Sequence, residues 1–76
     1  MSIPIDKKEY YRMRYTRGTV IELTEPLEDP YSSKPAGAKF KVDFVDDALQ
    51  LQGHWLPPES GTLAVAIEKD KFKIIR

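Results

Sequence analysis

The sequence predicts a mainly β domain with a short helix at its N-terminal end, and three observations carry that reading. Between Lys39 and Trp55, apolar Phe40, Val42 and Phe44 alternate with Lys39, Lys41 and Asp43. After Asp46-Asp47, Leu49, Leu51 and Trp55 alternate with Gln50, Gln52 and His54. Period two is the signature of half-buried strands. Further short runs rich in β-branched and apolar residues flank this stretch, separated by proline- and glycine-containing segments. Asp6-Lys7-Lys8-Glu9 has the spacing of a helix capping box.

Asp6 is the expected N-cap, with Glu9 three positions on, and Ile5 and Tyr10 are spaced as a hydrophobic staple. The helix is expected from Lys7 to Tyr15, ending before Gly18. Its Tyr10, Tyr11, Met13 and Tyr15 form no clean stripe and leave the docking face undefined.

Thr19–Thr24 reads as the first strand, with Ile21 and Leu23 on one face, and Glu25-Pro26 ends it. From Pro26 to Ala38 the chain carries Pro26, Pro30, Pro35, Ser32, Ser33 and Gly37, a long surface loop of the kind that is usually functional or mobile. The Lys39–Trp55 stretch is expected to fold about Asp46-Asp47 as a hairpin. Phe44 would then face Leu49, Val42 would face Leu51, and Phe40 would cover the bare backbone of Gly53.

Leu56–Gly61 is a second loop. Thr62–Ile67 is the fourth strand, with Leu63, Val65 and Ile67 inward. Glu68–Lys71 is a tight link with the length of one 3₁₀ turn, and Phe72–Ile75 is the fifth strand, with Phe72 and Ile74 inward. Five short strands in so short a chain suggest a small five-stranded SH3-like barrel, since closing the sheet hides its edges around one core. The expected organisation is an N-terminal helical segment over residues 1–17 and the barrel over 18–76. The expected core is Ile21, Leu23, Phe40, Val42, Phe44, Leu49, Leu51, Leu63, Val65, Phe72 and Ile74. On this register, Phe44→Ala would cost about 3–5 kcal/mol.

Seventy-six residues make one small domain. No cysteine is present, which removes thiolate chemistry and disulfide staples and fits a reducing compartment. The absence of a long apolar run, and a start of Met1-Ser2-Ile3-Pro4 unlike a signal peptide, lead to the expectation of a cytoplasmic domain. The net charge is zero but unevenly distributed. Lys7, Lys8, Arg12, Arg14 and Arg17 outnumber Asp6 and Glu9 in the first seventeen residues, and the remainder is acidic.

Several short motifs occur in order: Gly18-Thr19, Asp29-Pro30, Pro35-Ala36-Gly37, Val45-Asp46-Asp47, Trp55, Gly61-Thr62-Leu63 and Asp70-Lys71-Phe72-Lys73-Ile74. Over residues 14–76 the set resembles a domain-of-unknown-function family of small proteins carried by conjugative elements and phages of Gram-positive bacteria. The chain departs from the family pattern at Phe40 and Leu49, where that pattern has glycine. It departs again after Trp55, where Leu56-Pro57-Pro58 replaces an Asp-x-Gly. The resemblance implies an SH3-like fold and a mobile-element origin, and no known activity.

The candidate chemistry is sparse. His54 is the one imidazole; parity sets it on the polar face beside Gln52 and across from Lys39, with Asp43 on the same face but diagonal and two positions along, which reads as an exposed strand histidine. Asp43, Asp46 and Asp47 lack the spacing of a cation-binding loop and read as turn formers. No catalytic residue, cofactor or metal site is therefore expected, and no glycine-rich phosphate loop occurs.

Binding is the stronger expectation. Arg12, Arg14 and Arg17 interleave with Tyr10, Tyr11 and Tyr15, a pattern suited to phosphates and stacked bases, so the basic helix with Tyr11 is the nucleic-acid candidate. Tyr31, Trp55, Leu56, Pro57 and Pro58 form an aromatic-proline set suited to a protein partner. The sequence thus points first to a non-catalytic protein-interaction module and second to a nucleic-acid binder. The resemblance alone adds a third reading, inhibition of a host defence complex.

Overall fold

Asp6 opens the helix. Its Oδ1 accepts a hydrogen bond from Lys8 N at 3.1 Å, satisfying one of the free amides of the first turn, and α1 runs Lys7–Arg14 with Tyr15 as its C-cap. The structure, a computed structural model, describes residues 6–30 and 32–76. Ile5 of the expected staple and Tyr31 lie outside them.

Five strands follow: β1 (Val20–Leu23), β2 (Lys39–Val45), β3 (Gln50–Trp55), β4 (Val65–Ala66) and β5 (Phe72–Ile74). They form one antiparallel sheet in the order β4-β3-β2-β1-β5. The fold is mainly β, as expected, but the sheet does not close into the expected barrel: β4 and β5 are its two ends. The reason is local. Thr62–Ala64 stays outside the ladder, where Leu63 O accepts from Trp55 Nε1 at 2.9 Å and Gly61 O accepts from Trp55 N at 3.0 Å. This leaves a β4 of two residues instead of the expected Thr62–Ile67. The link to β5 is a turn in which Lys69 N and Asp70 N both donate to Ala66 O, while Asp70 Oδ2 accepts from Ala66 N.

The hairpin register differs from the expected one: Phe40 and Val42 each pair two residues further along β3, and a bulge interrupts the ladder nearer the turn. Phe40 lies opposite Trp55 and Val42 opposite Gly53, but the next pair is Phe44 with Gln52. Asp43 is therefore an extra residue, and an extra residue reverses the alternation beyond it. Phe44, expected in the core, is 57% exposed, and Val45 takes the buried place. Gly53 permits the bulge: a Cβ there would collide with the carbonyl oxygen of Lys41 and stand 3.1 Å from Asp43 N. The turn is held by Asp46, whose Oδ1 accepts from Ala48 N and Gln50 N at 2.9 Å each, and Oδ2 from Gln52 Nε2 at 2.7 Å. Leu49, expected in the core, has φ 58°, the left-handed region that favours glycine, and is half-buried.

Ile21, Leu23, Phe40, Val42, Leu51 and Val65 are the fully buried centre. Each contributes about 1.5–3 kcal/mol by leaving water. Leu63 and Phe72 are half-buried, and Ile74 is exposed, because β5 is an edge strand with nothing paired beyond it. Tyr15, Val20, Leu27, Ala38 and Trp55 join the buried set instead. Within the long loop Leu27 and Lys34 form an antiparallel bridge, each accepting the other's amide at 2.8 and 2.9 Å. Among the described residues no helix is long and apolar enough to cross a membrane.

Candidate functional site

Lys7, Lys8 and Arg12 of α1 face the acidic turns of the sheet. Lys8 Nζ and Arg12 Nη2 both lie 3.2 Å from Asp47 Oδ1, in the β2–β3 turn, and Arg12 Nε reaches Val45 O at 3.5 Å. On the adjoining strip of the helix, one residue earlier in each case, Lys7 Nζ lies 3.1 Å from Glu68 Oε2, and Tyr11 Oη donates to the same oxygen at 3.0 Å. The hydrogen bond and charge of Lys8, with Arg12 adding, hold the Asp47 carboxyl below its ordinary range. The hydrogen bonds from Lys7 and then Tyr11 do the same for Glu68. Of the nucleic-acid candidates, Arg12 and Tyr11 thus anchor the helix to the sheet. Arg14 lies 5.7 Å from the centre of the Tyr15 ring, and Arg17 is exposed.

The aromatic-proline set is divided. Trp55 is 3% exposed: its ring meets Phe40 edge to face at 5.0 Å between centroids, and its indole N–H is bonded. It is a core residue, so the expected patch loses the tryptophan ring. Leu56, Pro57 and Pro58 lie outside it, with a cis bond between the prolines. With Pro35–Lys39 and Glu59 they line a cleft of about 240 Å³. Its two walls are tied by Leu56 N donating to Lys39 O at 2.9 Å. Lys34, which no motif singles out, braces it from behind. Its Nζ donates to Ser60 O at 2.9 Å, lies 3.8 Å from Glu59, and stands 5.6 Å from the centre of the Trp55 ring.

A second surface was not assembled by sequence reasoning, which singled out Tyr10 and Arg14 as binding residues only for nucleic acid. Tyr10, Met13 and Arg14 of α1 and Ile74 of β5 line a gutter of about 330 Å³. Met13 is 73% exposed and Ile74 38%, and Tyr10 is exposed as well. The one available signal was the i, i+3 spacing of Tyr10 and Met13, which sets them on one helix face. That face is the one turned away from Glu68 and Asp47, a fact only the docking of the helix supplies.

His54 is exposed and pairs across strands with Lys41. Asp46 is engaged in its turn: partial desolvation raises its carboxyl pKa, but the hydrogen bonds from Gln52, Gln50 and Ala48 outweigh this and lower it. Among the described residues no three His, Cys, Asp or Glu side chains converge to hold a metal ion.

No curated protein and no solved structure matches the chain. A family model, that of the domain of unknown function DUF4314, matches residues 6–75. The helix, the five strands and both surfaces all fall within that match, and the chain belongs to the DUF4314 family.

Proposed function

We infer that the protein is a non-catalytic protein-interaction module. The carrying observation is the gutter: Met13, Tyr10 and Ile74 present apolar surface to water side by side, next to Arg14. Grouped apolar exposure of this kind marks an interaction site. The proline cleft at Leu56, Pro57 and Pro58 is a second candidate surface on the same module. The strand order, with the last strand against the first, supports reading the domain as an SH3-like barrel left open between β4 and β5. The resemblance drawn from the sequence motifs supports an accessory protein of a mobile element. Nucleic-acid binding through the helix is the weaker alternative, because Lys7, Lys8 and Arg12 already face carboxylates of the sheet.

The test is capture from a nuclease-treated bacterial lysate by immobilised wild-type chain, Met13→Glu and Leu56→Ser. A protein retained by wild type and by Leu56→Ser, and lost with Met13→Glu, is the expected result. Loss on Leu56→Ser alone moves the site to the proline cleft. Capture abolished by nuclease overturns the reading in favour of nucleic acid.

A further inference from the structure

At β5 an unpaired strand edge and the apolar gutter adjoin. Thr24 N donates to Lys71 O at 3.0 Å and Ile75 N to Val20 O at 2.9 Å, so the odd-numbered residues of this strand turn their backbone toward β1. In an antiparallel ladder the residues between them, Phe72 and Ile74, turn their N–H and C=O groups outward. Among the described residues no strand pairs with that side. The side chains of the same two residues point to the face that carries α1. The Phe72 ring meets Tyr15 at 5.8 Å, and Ile74 forms a wall of the gutter opposite Tyr10 and Met13. A strand laid along this edge, at the usual spacing of roughly 4.8 Å, would drop every second side chain toward the gutter.

Charge selects the occupant. From residue 71 to 76 the chain reads Lys-Phe-Lys-Ile-Ile-Arg, three cations and no acidic side chain; Lys73 Nζ lies 3.6 Å from Glu22 Oε2 of β1 but keeps its side chain 60% exposed, and Arg14 stands at the gutter itself. A second copy paired antiparallel about Lys73 would set Lys73 against its counterpart, and like charges directly opposed are destabilising. Edge lysines guard against such self-pairing. They favour a strand that brings carboxylates.

We propose, building on the interaction-module reading, that β5 accepts an extended acidic segment of a protein partner as a sixth strand. Its apolar side chains alternate into the gutter between Ile74, Tyr10 and Met13. Its carboxylates lie on the opposite face, beside Lys71 and Lys73. Backbone pairing supplies affinity and the gutter and cations supply selection, as in other cases of strand addition.

The probe is a capped heptapeptide alternating glutamate with valine, titrated into the full ¹⁵N-labelled chain and followed by NMR. A lysine-for-glutamate peptide and an oligothymidylate serve as comparison arms. The acidic peptide should slow exchange of the Phe72 and Ile74 amides roughly tenfold or more, shift the Met13 and Tyr10 signals, and bind more weakly as salt rises. Ile74→Glu should abolish these effects.

Four results overturn the proposal: no response to the acidic peptide at millimolar concentration, binding that leaves the Phe72 and Ile74 amides unprotected, equal binding of the lysine peptide, or a response to the oligothymidylate alone. Protection of those amides in the free chain, with a dimer by sedimentation, overturns it in favour of a second copy. Failure of the peptide while lysate capture still depends on Met13 removes strand addition and leaves the interaction module standing.

Discussion

The ammonium of Lys34 lies over the Trp55 ring, 5.6 Å from its centre, while donating to Ser60 O at 2.9 Å. One buried cation from the long loop thereby joins the loop after β3 to the core tryptophan. Lys34→Ala is expected to cost about 2–3 kcal/mol, from a hydrogen bond to a charged donor and the packing of the stem. Lys34→Met should recover the packing share. Denaturant unfolding followed by Trp55 fluorescence measures both, and an alanine variant as stable as wild type would contradict the bracing role.

The bulge at Asp43 makes opposite predictions for two neighbours. Val45→Ala should destabilise by about 1–3 kcal/mol, as expected for a buried β-branched residue. Phe44→Ala should stay within about 0.5 kcal/mol of wild type, because its ring is in water. This reverses the ranking that plain alternation predicts. A large loss from Phe44→Ala would restore the unbulged register.

Gly53 is predicted to tolerate no side chain. Its missing Cβ is where the Lys41 carbonyl passes, so Gly53→Ala must shift β2 against β3 at the bulge, at a cost of about 1–3 kcal/mol. The readout is the thermal midpoint, together with the cross-strand contact of Phe40 and Trp55 by NMR. A neutral effect with that contact unchanged would show that the close approach does not exist.

Acid should weaken the fold through its two acidic turns. Asp46, Asp47 and Glu68 all titrate below their ordinary values in the folded chain, so the unfolded chain binds more protons as pH falls. Their contribution is complete above the unfolded carboxylate range, about pH 4, and is lost as pH drops through the lower folded values. The thermal midpoint should be flat near neutrality and fall on acidification. Asp46→Asn should make that fall shallower. Because Asp47 and Glu68 are exposed, their share should also shrink with added salt. A midpoint that rises on acidification would refute the assignment.

Local signals were legible where the physics is local. The cap at Asp6 needs only one carboxylate and a nearby amide. The strands of Lys39–Val45 and Gln50–Trp55 announce themselves by alternation, and Asp46-Asp47 by turn chemistry. Membership of a domain-of-unknown-function family was readable from ordered motifs for the same reason, since each motif is a short contiguous pattern.

What the sequence by itself determined is therefore the element types, their order, and the residues at the heart of the core: Ile21, Leu23, Phe40, Val42, Leu51 and Val65. Only the tertiary structure decided the hairpin register, because one extra residue at Asp43 exchanges the faces of Phe44 and Val45 without altering either strand's composition. It also decided which cations of α1 meet Asp47 and Glu68, thirty-five or more residues away. The exposed gutter follows from that docking: burial belongs to a pair of surfaces brought together, and the period of one helix cannot say which of its faces will meet the sheet.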